Sequence, residues 1–254
     1  LRAPAMLLDQ GVALPEFSVT SNVPSTMNGG KDFCRWSRSD RALARTVGPL
    51  VERVLGRYGK GLTKIALGES LFEKGENTFE VLTLLSRGQV ETECGGTLEV
   101  AFSAVGQRVR LMVLQGDLTN AVAILDSFQS AVEEQRVTQL LPNIQAMRCR
   151  LALYHGDMDA VRAWLTQAPD EDKEFITMER YRYLTKVRCY LAQGENLKAL
   201  ALLEKLGEYA ERCHRTYIRM ETGVLGAIVR QRLGTSWEPL LTAALDEAES
   251  YRFV

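Results

Sequence analysis

The chain has 254 residues, 46% of them hydrophobic and 25% charged, the balance of a folded globular protein, which excludes wholesale disorder. With 31 basic against 32 acidic residues the net charge is −1, so no chain-wide field favours nucleic acid or an anionic membrane. The longest apolar runs, Ala121 to Leu125 and Ala199 to Leu203, fall far short of the roughly 20 residues that span a bilayer, and no membrane association is expected.

The chain opens on Leu1-Arg2-Ala3-Pro4, with neither a start methionine nor the pattern of a signal peptide. It stops at Tyr251-Arg252-Phe253-Val254, inside a helical pattern, so a piece of a longer protein is expected. Residues 9–32 carry Pro15, Pro24, Ser18, Ser21, Ser25, Asn22, Asn28 and Gly29-Gly30, the composition of a long loop. A helix is expected from near Asp32 to Val47-Gly48, and a shorter one from Pro49 through Arg57. Residues 1–60 thus read as a loop-rich segment with one or two helices. Gly29-Gly30-Lys31-Asp32 and Gly59-Lys60-Gly61 both fail the phosphate-loop pattern, which needs Ser or Thr after the lysine, and read as turns.

From residue 61 to 254 one plan recurs: an apolar helix, a glycine, usually an acidic residue, then a second apolar helix. The glycines are Gly75, Gly116, Gly156, Gly194 and Gly234, at intervals of 41, 40, 38 and 40 residues. Nine residues beyond them stand Leu84, Leu125, Leu165, Leu203 and Ala243; Ala121 and Ala199 lie five beyond, and Ala160 four. Each glycine is expected to end a helix in the left-handed conformation, with the next Asp, Asn, Thr or Ser capping the helix that follows. Pro142 suits a first helical turn, and Pro169 with the charge run from Asp170 to Glu174 reads as a solvated link. No alternating Val/Ile/Thr run competes. One helix pair cannot bury both faces, so the expectation is an all-α fold, an α-solenoid of antiparallel helix pairs.

The five cysteines contain no C-x-x-C pair, which argues against a disulfide framework or a cysteine zinc site and for a reduced, cytoplasmic chain. Cys149 and Cys189 lie in apolar helical patterns and are expected to be small core fillers. His155 and His214, the only histidines, have no partner at metal-ligand spacing, and no G-x-S-x-G occurs. Catalytic residues, metal and cofactor are therefore all expected to be absent from this piece, and an all-α enzyme is the weakest of the readings.

The recurring Gln-Gly-Asp-x-x-x-Ala-x-x-x-Leu unit, with Leu114-Gln115-Gly116-Asp117, the run Leu151 to Leu165 ending in Trp164-Leu165, and the run Ala244 to Val254, resembles a tetratricopeptide-type repeat lengthened to about 40 residues. That variant is similar to the sensor region of MalT-like, LuxR-type bacterial transcriptional regulators, some of which also share the loop from Met27 to Phe33. The resemblance implies ligand or partner sensing. In that family a nucleotide-binding module lies N-terminal and a helix-turn-helix C-terminal; neither is present in these residues, so DNA would be met only through an absent module.

Six residues before three consecutive glycines stand Arg110, Arg150 and Arg188. The resemblance places that position on the first helix of each pair, facing a concave groove, where guanidinium groups can grip a carboxylate or phosphate. Asn143 and Tyr181, one turn or two earlier on the same face, are expected to add polar and stacking contacts. The alternative is that the arginines pair with acidic neighbours or cover apolar surface with their stems. Two functions follow from these readings: a groove that senses a small-molecule effector or protein partner for a regulator, or a scaffold that holds a peptide segment.

Overall fold

The computed structural model describes residues 40–75, 77–95, 98–171 and 180–251. Among them lie ten α-helices and no strand: α1 (Asp40–Glu73), α2 (Thr78–Cys94), α3 (Leu98–Leu114), α4 (Leu118–Glu134), α5 (Leu141–His155), α6 (Met158–Leu165), α7 (Arg180–Ala192), α8 (Asn196–Arg212), α9 (Thr216–Arg232) and α10 (Glu238–Tyr251). The fold is an all-α helical repeat. It divides into two compact units, one reaching Thr138 with α1 to α4, the other Gln139 to Arg252 with α5 to α10. The loop expected over residues 9–32 and the helix start near Asp32 lie outside the described residues.

All five repeat glycines are left-handed, with φ of 63° at Gly75, 75° at Gly116, Gly156 and Gly194, and 70° at Gly234. The backbone N–H one residue on reaches back five residues: Asp117 to Met112 O, Asp157 to Ala152 O and Glu195 to Tyr190 O, each at 2.9 Å. This bond ties down a carbonyl that the helix end leaves without an internal partner. Asn77, Asp117 and Asp157 then cap the next helix, their side chains accepting from Glu80 N, Asn120 N and Ala160 N at 3.2, 3.1 and 3.0 Å. Glu195 makes no such cap; its carboxylate pairs with Lys198 Nζ at 2.5 Å.

The chain also turns where no glycine stands. Arg136 (φ 59°) and His214 (φ 53°) occupy the same conformation, and the same bond forms, from Val137 N to Val132 O at 3.0 Å and from Arg215 N to Ala210 O at 2.7 Å. The left-handed positions 116, 136 and 156, and likewise 194, 214 and 234, are spaced 20 residues apart, and in the second unit the chain reverses at each of the latter three.

In α1 the expected break at Val47-Gly48 does not occur. Pro49 lies inside the helix, and the interruption comes at Gly56 (φ 61°, ψ −139°), backbone territory open to glycine alone. A proline keeps a helical φ and removes one hydrogen bond, whereas Gly56 reverses the chain. The two segments fold against each other: a Cβ on Gly48 would lie 3.2 Å from Thr63 Cγ2, and one on Gly59 only 2.4 Å from Val51 O. Gly59-Lys60-Gly61 is accordingly helix and not a turn. Gly61 lets α1 approach α2 at Gly88, where a Cβ on either glycine would stand 2.8 to 3.0 Å from the other's carbonyl oxygen. The Gly29-Gly30-Lys31-Asp32 turn lies outside the described residues.

Burial follows the helical stripes. In the first unit the Phe102 and Phe128 rings stack at 5.7 Å. In the second, Tyr183, Leu184, Val187 and Leu191 of α7 pack with Ala199, Leu202, Leu203 and Leu206 of α8 and with Leu225 and Val229 of α9. The buried position five residues past the glycine is filled by Ala121, Val161 and Ala199, so exposed Ala160 is a neighbour of that position and does not occupy it. Ala243 is exposed, and the buried residue of α10 is its neighbour Ala244.

The link after α6 is anchored. Pro169 is buried and its carbonyl accepts from Lys186 Nζ at 2.9 Å; the Asp170 carbonyl accepts from the Tyr183 hydroxyl at 2.7 Å. Glu171 takes Lys186 Nζ at 2.8 Å and the Tyr190 hydroxyl at 2.6 Å. Residues 170–171 are thus tied to α7, against the expectation of a purely solvated link. The rest of that charge run lies outside the described residues.

Candidate functional site

The glycine spacing defines two positions on the first helix of each pair. Thirteen residues before successive glycines stand Ser103, Asn143, Tyr181 and Glu221; six before stand Glu69, Arg110, Arg150 and Arg188. The two positions are seven residues apart, two helical turns, so they share a face. Within each unit they meet diagonally across adjacent repeats. In the first unit the buried Ser103 hydroxyl donates to the buried Glu69 carboxylate. In the second, the Arg150 guanidinium lies 4.0 Å above the Tyr181 ring, and Arg188 Nη2 stands 2.6 Å from Glu221 Oε1. One geometric rule, filled with different chemistry at each step, links repeat to repeat.

Arg150 and Arg188 converge on the same carboxylate. Arg150 Nη2 is 3.9 Å from Glu221 Oε1, and its Nε donates to Thr185 Oγ1 at 2.8 Å. Thr185 in turn donates to the Tyr181 carbonyl at 2.8 Å, and Arg188 Nη1 donates to the Leu184 carbonyl at 3.2 Å. The side chains are largely buried, 16% exposed for Arg150, 30% for Arg188 and 13% for Glu221, so water screens them less than a surface pair. Three helices contribute: α5 with Arg150, α7 with Tyr181, Thr185 and Arg188, and α9 with Glu221.

The expected residues divide between the two units. Arg110 belongs to the first, where Nη1 pairs with Glu73 Oε1 at 2.6 Å and with Gln107 Oε1 at 3.0 Å, and the guanidinium covers the Phe72 ring at 4.7 Å. Arg150, Arg188 and Tyr181 come together in the second. Asn143 is buried near the start of α5, its Oδ1 without a hydrogen-bond partner among the described residues. Each of the three arginines stands beside a glutamate, the arrangement that the ion-pair alternative anticipates. Glu221 and Thr185 are not among the site residues expected from the sequence. Glu221 carried a signal, its place thirteen residues before Gly234, the slot of Asn143 and Tyr181.

The histidines lie elsewhere, both exposed: His155 closes α5 and His214 forms a turn. Among the described residues no group of three or more His, Cys, Asp or Glu side chains could hold a metal ion, and no helix is long and apolar enough to cross a membrane.

Residues 89–254 match a family model described as the MalT-like TPR region. The chain belongs to that family. No curated protein and no solved structure gave a match. The MalT-like TPR region is a helical-repeat sensing or interaction domain, a class that is generally non-catalytic, and its stretch covers α3 to α10 and every residue of the Arg150–Arg188–Glu221 cluster.

Proposed function

We propose that this MalT-like TPR region is the sensing domain of a LuxR-type transcriptional regulator, acting in the cytoplasm, without catalysis and without a cofactor of its own. The observation that carries the reading is the convergence of Arg150 and Arg188 on one internal carboxylate, Glu221, beside the Tyr181 ring. Two guanidinium groups already holding a carboxylate present geometry for the carboxylate or phosphate of an effector or protein partner. Such a ligand competes with Glu221. Because Glu221 sits on α9 while the arginines sit on α5 and α7, exchanging one anion for another alters the tie between successive repeats. An effector with different affinity for the two arrangements shifts their populations, and DNA is engaged by a separate module of the regulator.

The test is a thermal-shift screen of the chain against small mono- and dicarboxylates, phosphorylated sugars and acidic peptides. A specific ligand should raise the midpoint in a saturable way and be lost in Arg150→Ala and Arg188→Ala. Glu221→Gln, which removes the competitor, should tighten binding by about tenfold, the equivalent of roughly 1.4 kcal/mol. Stabilisation by acidic peptides alone would favour the peptide scaffold. Ligand binding unaffected by all three substitutions would remove this site from the proposal. In the full regulator, the same ligand should change affinity for DNA.

A further inference from the structure

The two cysteines expected to be inert core fillers touch. Cys149 of α5 and Cys189 of α7 are 3% and 0% exposed, and their sulfur atoms stand 3.4 Å apart. A disulfide bond is about 2.05 Å long, so closure needs each sulfur to move by less than about 1 Å, within the reach of a rotamer adjustment between packed helices. The other described cysteines differ: Cys94 is exposed and Cys213 half-buried. Arg150 follows Cys149 directly and Arg188 precedes Cys189. We propose that Cys149 and Cys189 form an oxidation site that a small peroxide converts to an intrachain disulfide joining α5 to α7.

The chemistry of the pair is polarised. Either thiol can donate in the contact between the two sulfurs. That contact draws the Cys189 thiol down, burial raises it, and the Arg150 and Arg188 guanidiniums add to the lowering, whereas at Cys149 only Arg150 opposes the contact and burial. Cys189, with two guanidiniums beside it against one at Cys149, is assigned as the attacking sulfur, with Cys149 as the resolving thiol. The Cys189 thiolate attacks hydrogen peroxide: an S–O bond forms, the O–O bond breaks, and the departing hydroxide takes a proton to become water, leaving Cys189 as a sulfenic acid. The Cys149 sulfur then attacks the Cys189 sulfur. An S–S bond forms, the S–O bond breaks, and hydroxide leaves with the Cys149 proton as a second water. Two electrons pass from the sulfur pair to one peroxide. A small oxidant suits a pair this deeply buried, where a bulky disulfide reagent is shut out.

The full 254-residue chain is treated with hydrogen peroxide, quenched with catalase, unfolded in alkylating reagent and mapped by mass after chymotryptic digestion. The expected product is a crosslinked peptide pair containing Cys149 and Cys189, lighter by two hydrogens than the reduced pair and released by dithiothreitol. Cys149→Ser should leave a dimedone-trapped sulfenic acid on Cys189, and Cys189→Ser should abolish both trapping and crosslink. Should either variant fail to fold, the wild-type map decides alone. Cys149 and Cys189 both recovered as alkylated free thiols after Cys94 has been oxidised would overturn the proposal. So would crosslinks from either to Cys94 or Cys213 in place of each other.

Discussion

Arg136 and His214 hold φ near +60° with a side chain attached, a conformation that costs an L-residue roughly 1–2 kcal/mol relative to the right-handed one. Glycine removes that cost but gives back part of it in the freedom of the unfolded chain. Arg136→Gly and His214→Gly are each expected to stabilise the protein by about 0.5–1 kcal/mol, read as a higher urea midpoint. Loss of stability at either site would show that the side chain contributes more than the backbone strain costs. Glu171 provides a pH test. Burial pushes its carboxyl up, but Lys186 and the Tyr190 hydroxyl, joined by Lys205, outweigh burial and leave it below the ordinary glutamate range. A depressed folded value means that the stability is present above the unfolded value, near about 4.3, and is lost as pH falls through the folded one. Wild type should therefore exceed Glu171→Gln in stability at neutral pH, with the advantage disappearing below about pH 4. A difference that does not change with pH would contradict this role.

At the scale of elements, glycine does two different jobs here. Turn glycines such as Gly116 and Gly156 have open space around an added Cβ, and their requirement is the positive φ. Gly61 and Gly88 lie inside helices, and what they supply is the absence of a side chain where α1 meets α2. Gly88→Ala should destabilise by about 1–3 kcal/mol, since the added methyl meets Ile65 and the Gly61 carbonyl oxygen with no flexible chain end to give way. Chemical denaturation measures it; a neutral result would mean that the two helices separate at little cost. From sequence, Gly59 and Gly61 look like turn residues, and nothing local tells them from Gly56. The distinction rests on what packs opposite. The capped, left-handed turns at Gly116 and Gly156 were legible, because a glycine followed by an aspartate carries its own conformational preference.

For the molecule as a whole, stability in a repeat array is a sum of each repeat and its contacts with neighbours. Leu202 of α8 is fully buried in the cluster shared by α7, α8 and α9. Leu202→Ala should cost about 2–5 kcal/mol. Its amide exchange should quicken most in those three helices and least in α1 to α3 of the other unit, as native-state hydrogen exchange would show. Uniform acceleration along the chain would mean that the two compact units unfold as one. The sequence by itself determined the all-α repeat, its period and the left-handed glycine turns, since helical stripes and positive-φ glycines are encoded within a few residues. Only the tertiary structure decided that the chain also turns at Arg136 and His214, that Arg150 and Arg188 meet on Glu221, and that Cys149 touches Cys189. The partners in those contacts lie about a repeat or more apart in the chain. The side chains that meet there are chosen by the packing of one repeat on the next, which no local preference specifies.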